Sequence, residues 1–101
     1  MFLLNQELID ACWKGNFKLV KFLVKQGSDI HVGNDLPLQW ASLIGHLEMV
    51  KYLVKSGADI HENDDYALIC ASDKGHLKVL KYLIKDLPKQ EKTYWLLKCL
   101  K

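Results

Sequence analysis

Three glycines spaced thirty residues apart constrain this chain more than its composition does. Gly15, Gly45 and Gly75 share that spacing with Leu8, Leu38 and Leu68, with Ala11, Ala41 and Ala71, with Lys21, Lys51 and Lys81, and with Leu23, Leu53 and Leu83. Self-similarity at such a period marks a repeat array, in which one supersecondary unit buries its apolar face only by stacking on its neighbours. The units run 5–34, 35–64 and 65–94, leaving four residues before them and seven after.

Within a unit the apolar spacing is helical twice, with a break at the glycine. In the middle copy Leu38, Ala41 and Ser42 belong to a short helix that stops at Gly45, where a residue free to take positive φ can close a helix C-terminus. Leu47, Val50, Leu53 and Val54 then form one apolar face, with Lys51 and Lys55 opposite. Gly57 ends this second helix, and residues 58–64 make a polar connector anchored by Ile60. Helices below ~12 to 15 residues are marginal alone, so stacking must stabilise them. The alanines of the first helices allow close approach, and the leucines and valines of the second interlock between units. Trp95, Leu96, Leu97 and Leu100 read as an amphipathic lid over about 87–101, with Pro88 in its first turn. A chain of 101 residues supplies one domain, 1–101, burying about 60 to 70% of its extended surface.

The run Gly45-His46-Leu47-Glu48-Met49-Val50-Lys51-Tyr52-Leu53-Val54-Lys55-Ser56-Gly57-Ala58-Asp59-Ile60 resembles the second half of an ankyrin repeat. It recurs at residues 75–85 and more loosely at 15–30, and Leu36-Pro37-Leu38-Gln39-Trp40-Ala41-Ser42 occupies the family's Thr-Pro-Leu-His-x-Ala-Ala position. The resemblance implies an all-α ankyrin-repeat solenoid of three helix-turn-helix units, with short inter-repeat loops and a C-terminal capping helix. The usual period is ~33, and the shortfall here lies in the hairpin between units, so the fingers are expected to be stubby. Leu36, Tyr66 and Gln6 stand where the family has its capping threonine, which leaves Asp35 and Asp65 as the expected helix caps. The short unit with Asn-Asp, Asp-Tyr-Ala-Leu and Gly-His-Leu resembles the ankyrin arrays of giant DNA viruses that infect amoebae.

Resemblance to ankyrin repeats further implies a non-enzymatic module that binds another protein through its concave face. Carried onto this chain, the first helices present Trp13 and Lys14, Leu43 and Ile44, and Asp73 and Lys74, with Trp40 half-buried and Cys70 nearby. The fingers add Val32, Gly33, Asn34 and Asp35, then Glu62, Asn63, Asp64 and Asp65. Trp13, Leu43 and Ile44, clustered where solvent is expected and rimmed by charge, have the composition of a binding hot spot.

All 14 basic residues are lysine, set against 12 acids for a net charge of +2. Without arginine the chain lacks the planar fork that reads guanine and clamps phosphate, which argues against sequence-specific DNA binding. Lysines 18, 21, 25, 51, 55, 78, 81 and 85 form a convex stripe of the kind that keeps an array soluble. Residues 1–64 hold six lysines against eight acids, and 65–101 hold eight against four, so an acidic partner surface at the C-terminal end, or weak lysine-mediated contact with nucleic acid or an anionic lipid surface, is an alternative reading. Self-association, through the same concave surface or through imperfect capping at Met1 to Leu4 and Trp95 to Leu100, is another, with a monomer preferred.

Cys12, Cys70 and Cys99 form neither a disulfide framework nor a zinc knuckle, which fits an intracellular, reducing compartment, the host cytoplasm if the source is viral. His31, His46, His61 and His76 recur every fifteen residues, but equivalent positions in adjacent repeats lie ~8 to 10 Å apart, whereas zinc ligands sit ~2 Å from the metal. Neither metal nor cofactor is expected, and no nucleophile–base pair or phosphate-cradling loop supports catalysis. The apolar start, Met1 to Leu4, is too short for a signal peptide. No run approaches the ~18 to 20 apolar residues of a membrane span.

Overall fold

The computed structural model describes residues 2–100; Met1 and Lys101, which fall in the two expected caps, lie outside them. Among the described residues seven helices follow in order: α1 (Phe2–Lys14), α2 (Phe17–Lys25), α3 (Val32–Ile44), α4 (Leu47–Lys55), α5 (Glu62–Asp73), α6 (Leu77–Leu83) and α7 (Lys89–Leu100). The described residues contain no strand. They stack into a rod of 41 × 20 × 18 Å, with α1, α3 and α5 forming an inner row and α2, α4 and α6 an outer one. α7 closes the end by packing on α5 and α6 through the buried Trp95.

The inner row packs more intimately than the outer, and small side chains are the reason. Ala11, Ala41 and Ala71, followed by Cys12, Ser42 and Ser72, are all buried where these helices meet. The core is then filled by the repeated leucines Leu8, Leu38 and Leu68, and Leu23, Leu53 and Leu83, all buried. Each repeat therefore contributes the same side chains to one continuous core, as the thirty-residue spacing requires.

Two turns set the geometry of a repeat. The first is the tight bend between its helices, where Gly45 takes φ 78°. The next helix is capped by side chains there: Asn16 accepts from the Leu19 amide at 3.2 Å, and His46 Nδ1 accepts from the Met49 amide at 3.2 Å. His76 departs from this pattern and donates from Nε2 to the Leu43 carbonyl of the preceding repeat at 2.9 Å.

The second turn is the finger. Gly33, Asn34 and Asp35 are consecutively left-handed, as are Asn63, Asp64 and Asp65. Asparagine and aspartate tolerate that region better than other side chains, so a turn of three residues replaces the hairpin lost with the shorter period. Asp35 and Asp65 do not cap α3 and α5 as expected. The left-handed backbone turns their carboxylates back, and each accepts from the histidine four positions earlier, His31 Nδ1 to Asp35 at 2.7 Å and His61 Nδ1 to Asp65 at 2.5 Å.

Candidate functional site

The inner surface carries an apolar groove between α3 and α5. Leu36, Gln39, Trp40 and Leu43 fall at i, i+3, i+4 and i+7 on α3, one face of a helix, and meet Tyr66 and Cys70 from α5 around a concavity of about 160 Å³. Gln39 is fixed at the groove's edge by donating to the Asn34 carbonyl at 2.7 Å. Trp40 is half-buried, and its ring meets the edge of Trp13 from α1, centroids 6.3 Å apart and planes at 87°. Such an edge-to-face pair contributes about 0.5 to 1.5 kcal/mol beyond area burial, so the two repeats present one aromatic shelf beside the groove. Trp13 nevertheless stays 54% exposed, and Tyr66 44%.

The expected contact residues are divided by the fold. Trp13, Trp40 and Leu43 come together, and Cys70 joins them as part of the lining. Ile44 is separated from the shelf: it is 38% exposed and lies over the inter-helix turn of the preceding repeat, where a methyl on Gly15 would touch its Cδ1 at 3.4 Å. Asp35 is not an exposed finger residue, because the bond to His31 leaves it only 3% exposed. Asn34, Asn63 and Asp64 are exposed at the finger tips, Glu62 is half-buried, and Asp65 is held by His61. Lys14, Asp73 and Lys74 are exposed at the opposite, turn end. Leu36, Gln39 and Tyr66 are additions. For Leu36 and Tyr66 the signal in the sequence was an apolar or aromatic residue standing where a repeat of this kind carries its capping hydroxyl, and both line the groove.

Burial favours the protonated thiol at Cys12 and Cys70. Burial pushes Cys12 up to about 12. Burial also raises Cys70, opposed by a hydrogen bond from Tyr66, with Asp73 raising it and Lys74 lowering it by charge. A thiol held above its ordinary value is a poor nucleophile at neutral pH. Among the described residues, no three His, Cys, Asp or Glu side chains converge on a common point, and no helix is long and apolar enough to cross a membrane.

Paired helices repeated in two rows, with an inner groove made by the first helix of each pair, define a helix-turn-helix repeat solenoid. The family model described as ankyrin repeats (3 copies) matches residues 8–93, and the chain belongs to the ankyrin repeat family. Ankyrin repeats are in general protein–protein interaction modules and typically non-enzymatic.

Proposed function

We propose that this chain is a non-enzymatic binding module that captures a protein partner on its inner face, centred on Trp13, Trp40, Leu43 and Tyr66. The observation that carries this reading is the groove: a tryptophan shelf and a leucine–tyrosine concavity open to solvent on a surface fixed by two packed helices. Aromatic side chains in a preformed recess are what a partner's anchor residue needs, and a rigid scaffold loses little ordering entropy on association. At about 160 Å³ the recess is below the ~300 Å³ at which small-molecule sites begin, and it suits one inserted side chain. Leu43→Ser should abolish capture of partners selected on the wild-type protein while the folded array persists by circular dichroism. Unchanged capture would remove the groove from the function. The short unit resembling giant-virus arrays supports a viral source and a host-cytoplasmic site of action.

Self-assembly is the second reading, and exposed apolar side chains at the two ends favour it: Leu3 and Phe22 at the first repeat, Tyr94, Leu97 and Leu100 on α7. Light scattering across a concentration series separates the readings, because a monomer at high micromolar concentration excludes assembly.

A further inference from the structure

We propose that the partner segment taken by the inner groove is basic: a lysine- or arginine-rich stretch of polypeptide with a single apolar anchor side chain. The inference rests on the groove reading above and adds the chemistry of the occupant. Its basis is a separation of charge across the thickness of the rod. The first helices with their fingers and turns hold nine carboxylates (Glu7, Asp10, Asp29, Asp35, Asp59, Glu62, Asp64, Asp65 and Asp73) against two lysines, Lys14 and Lys74. The second helices and the described part of the C-terminal cap, residues 17–25, 47–55 and 77–100, hold eleven lysines against three carboxylates. A near-neutral total therefore conceals about −7 on the side that carries the groove and about +8 on the side that does not.

Asp35 is buried and Asp65 is held by His61, but the other inner carboxylates are available. Among the described residues Lys85 pairs with Asp86, and Asp35 and Asp65 are hydrogen-bonded to His31 and His61, so no lysine neutralises Asp10, Glu62, Asp64 or Asp73 at contact distance. Glu62 and Asp64 lead directly into Tyr66 at the finger end of the groove, and Asp73 lies one turn beyond Cys70 at the other end, close enough to perturb its thiol. A field of this kind reaches about 10 Å at moderate salt, enough to cover both ends of the groove. It attracts a basic segment to the inner face while the lysine-rich outer helices repel the same segment, so charge selects the face and the apolar recess takes the anchor.

The test is a selection of displayed random peptides on the full wild-type chain. Enriched peptides should carry lysine or arginine around one leucine, phenylalanine or tryptophan. Their affinity should fall with added salt, and Glu62→Gln combined with Asp64→Asn should weaken them by about three- to tenfold. These two side chains lie outside the apolar lining, so the stability of the double variant serves as the control for folding. Enriched peptides that are acidic or uncharged, insensitive to salt and to the double variant, yet lost with Leu43→Ser, overturn the inference and leave the groove reading standing. Peptides that survive Leu43→Ser overturn both, and so does a selection that enriches nothing. Wild-type self-association abolished by the double variant would make a second copy the occupant and also overturn it.

Discussion

Substituting Gly45 by alanine tests the register between the second and third repeats. The His76 ring lies directly over this glycine: a methyl group on it would stand 2.5 Å from Nδ1, 2.6 Å from Cε1 and 2.7 Å from Cγ. Unstrained heavy-atom contacts need about 3.5 Å, so the ring must move by roughly 1 Å. That movement breaks its 2.9 Å bond to the Leu43 carbonyl. The left-handed backbone, φ 78°, costs a non-glycine residue about 1 kcal/mol, forced repacking about 1 to 3 kcal/mol, and the lost hydrogen bond about 1 kcal/mol. Displacing one ring accounts for the last two together, so the expected total is about 3 kcal/mol. Gly75 provides the control, since its φ is 71° and nothing lies within 4 Å of an added methyl. Gly75→Ala should cost only the backbone part, about 1 kcal/mol. Urea denaturation followed by far-ultraviolet circular dichroism measures both, and adding His76→Ala to Gly45→Ala should recover the steric portion as a coupling energy. Equal losses for Gly45→Ala and Gly75→Ala would refute the claim that the histidine ring is seated on this glycine.

Other expectations follow from single side chains. The Ser42 hydroxyl is buried without a hydrogen-bond partner, whereas Ser72 donates to the Ile69 carbonyl at 3.1 Å; Ser42→Ala should be neutral or stabilising and Ser72→Ala should cost about 1 kcal/mol in the same denaturation assay. Cys12, raised from 9.0 to about 12, keeps its proton in the fold over a range where the unfolded thiol has lost it. Stability is therefore expected to fall as pH rises from about 9 towards 12, more steeply than in Cys12→Ala by about 1.4 kcal/mol per pH unit, and parallel slopes would refute the burial argument. Asn63 sits at φ 59°, so Asn63→Gly should be tolerated and Asn63→Val should cost at least about 1 kcal/mol. Trp95 is the buried anchor of α7, and Trp95→Ala should lower stability by about 3 kcal/mol; an unchanged unfolding midpoint would show the lid to be dispensable.

The repeat unit was legible in the sequence because its core obeys one local rule. Leu38, Ala41, Val50 and Leu53 each face the interior by helical phase, and the same phase recurs thirty residues away. The glycine turn was legible for the same reason, since Gly45 closes a helix by a conformation few other residues adopt. The finger was less so. A deficit of about three residues against the usual unit indicated shortening, but three consecutive left-handed residues became visible only with the His31–Asp35 and His61–Asp65 bonds. Those bonds also reverse the expected role of the two aspartates.

The sequence by itself determined the number of units, their helical character, the residues of the shared core and the family. Tertiary structure decided which surface residues meet. Contacts between repeats do not follow the thirty-residue period: Trp13 reaches Trp40, Gly45 lies under His76, and Phe17 meets Tyr52, pairs separated by 27, 31 and 35 positions. Equivalent positions consequently diverge. Trp13 stands against a ring, Leu43 lines a recess and Asp73 stays in solvent. Periodicity governs what points inward from one helix, because the helix's own geometry sets that direction. What a side chain touches across the stack depends on the identities and offset of the neighbouring helix, and those enter only once the repeats are packed.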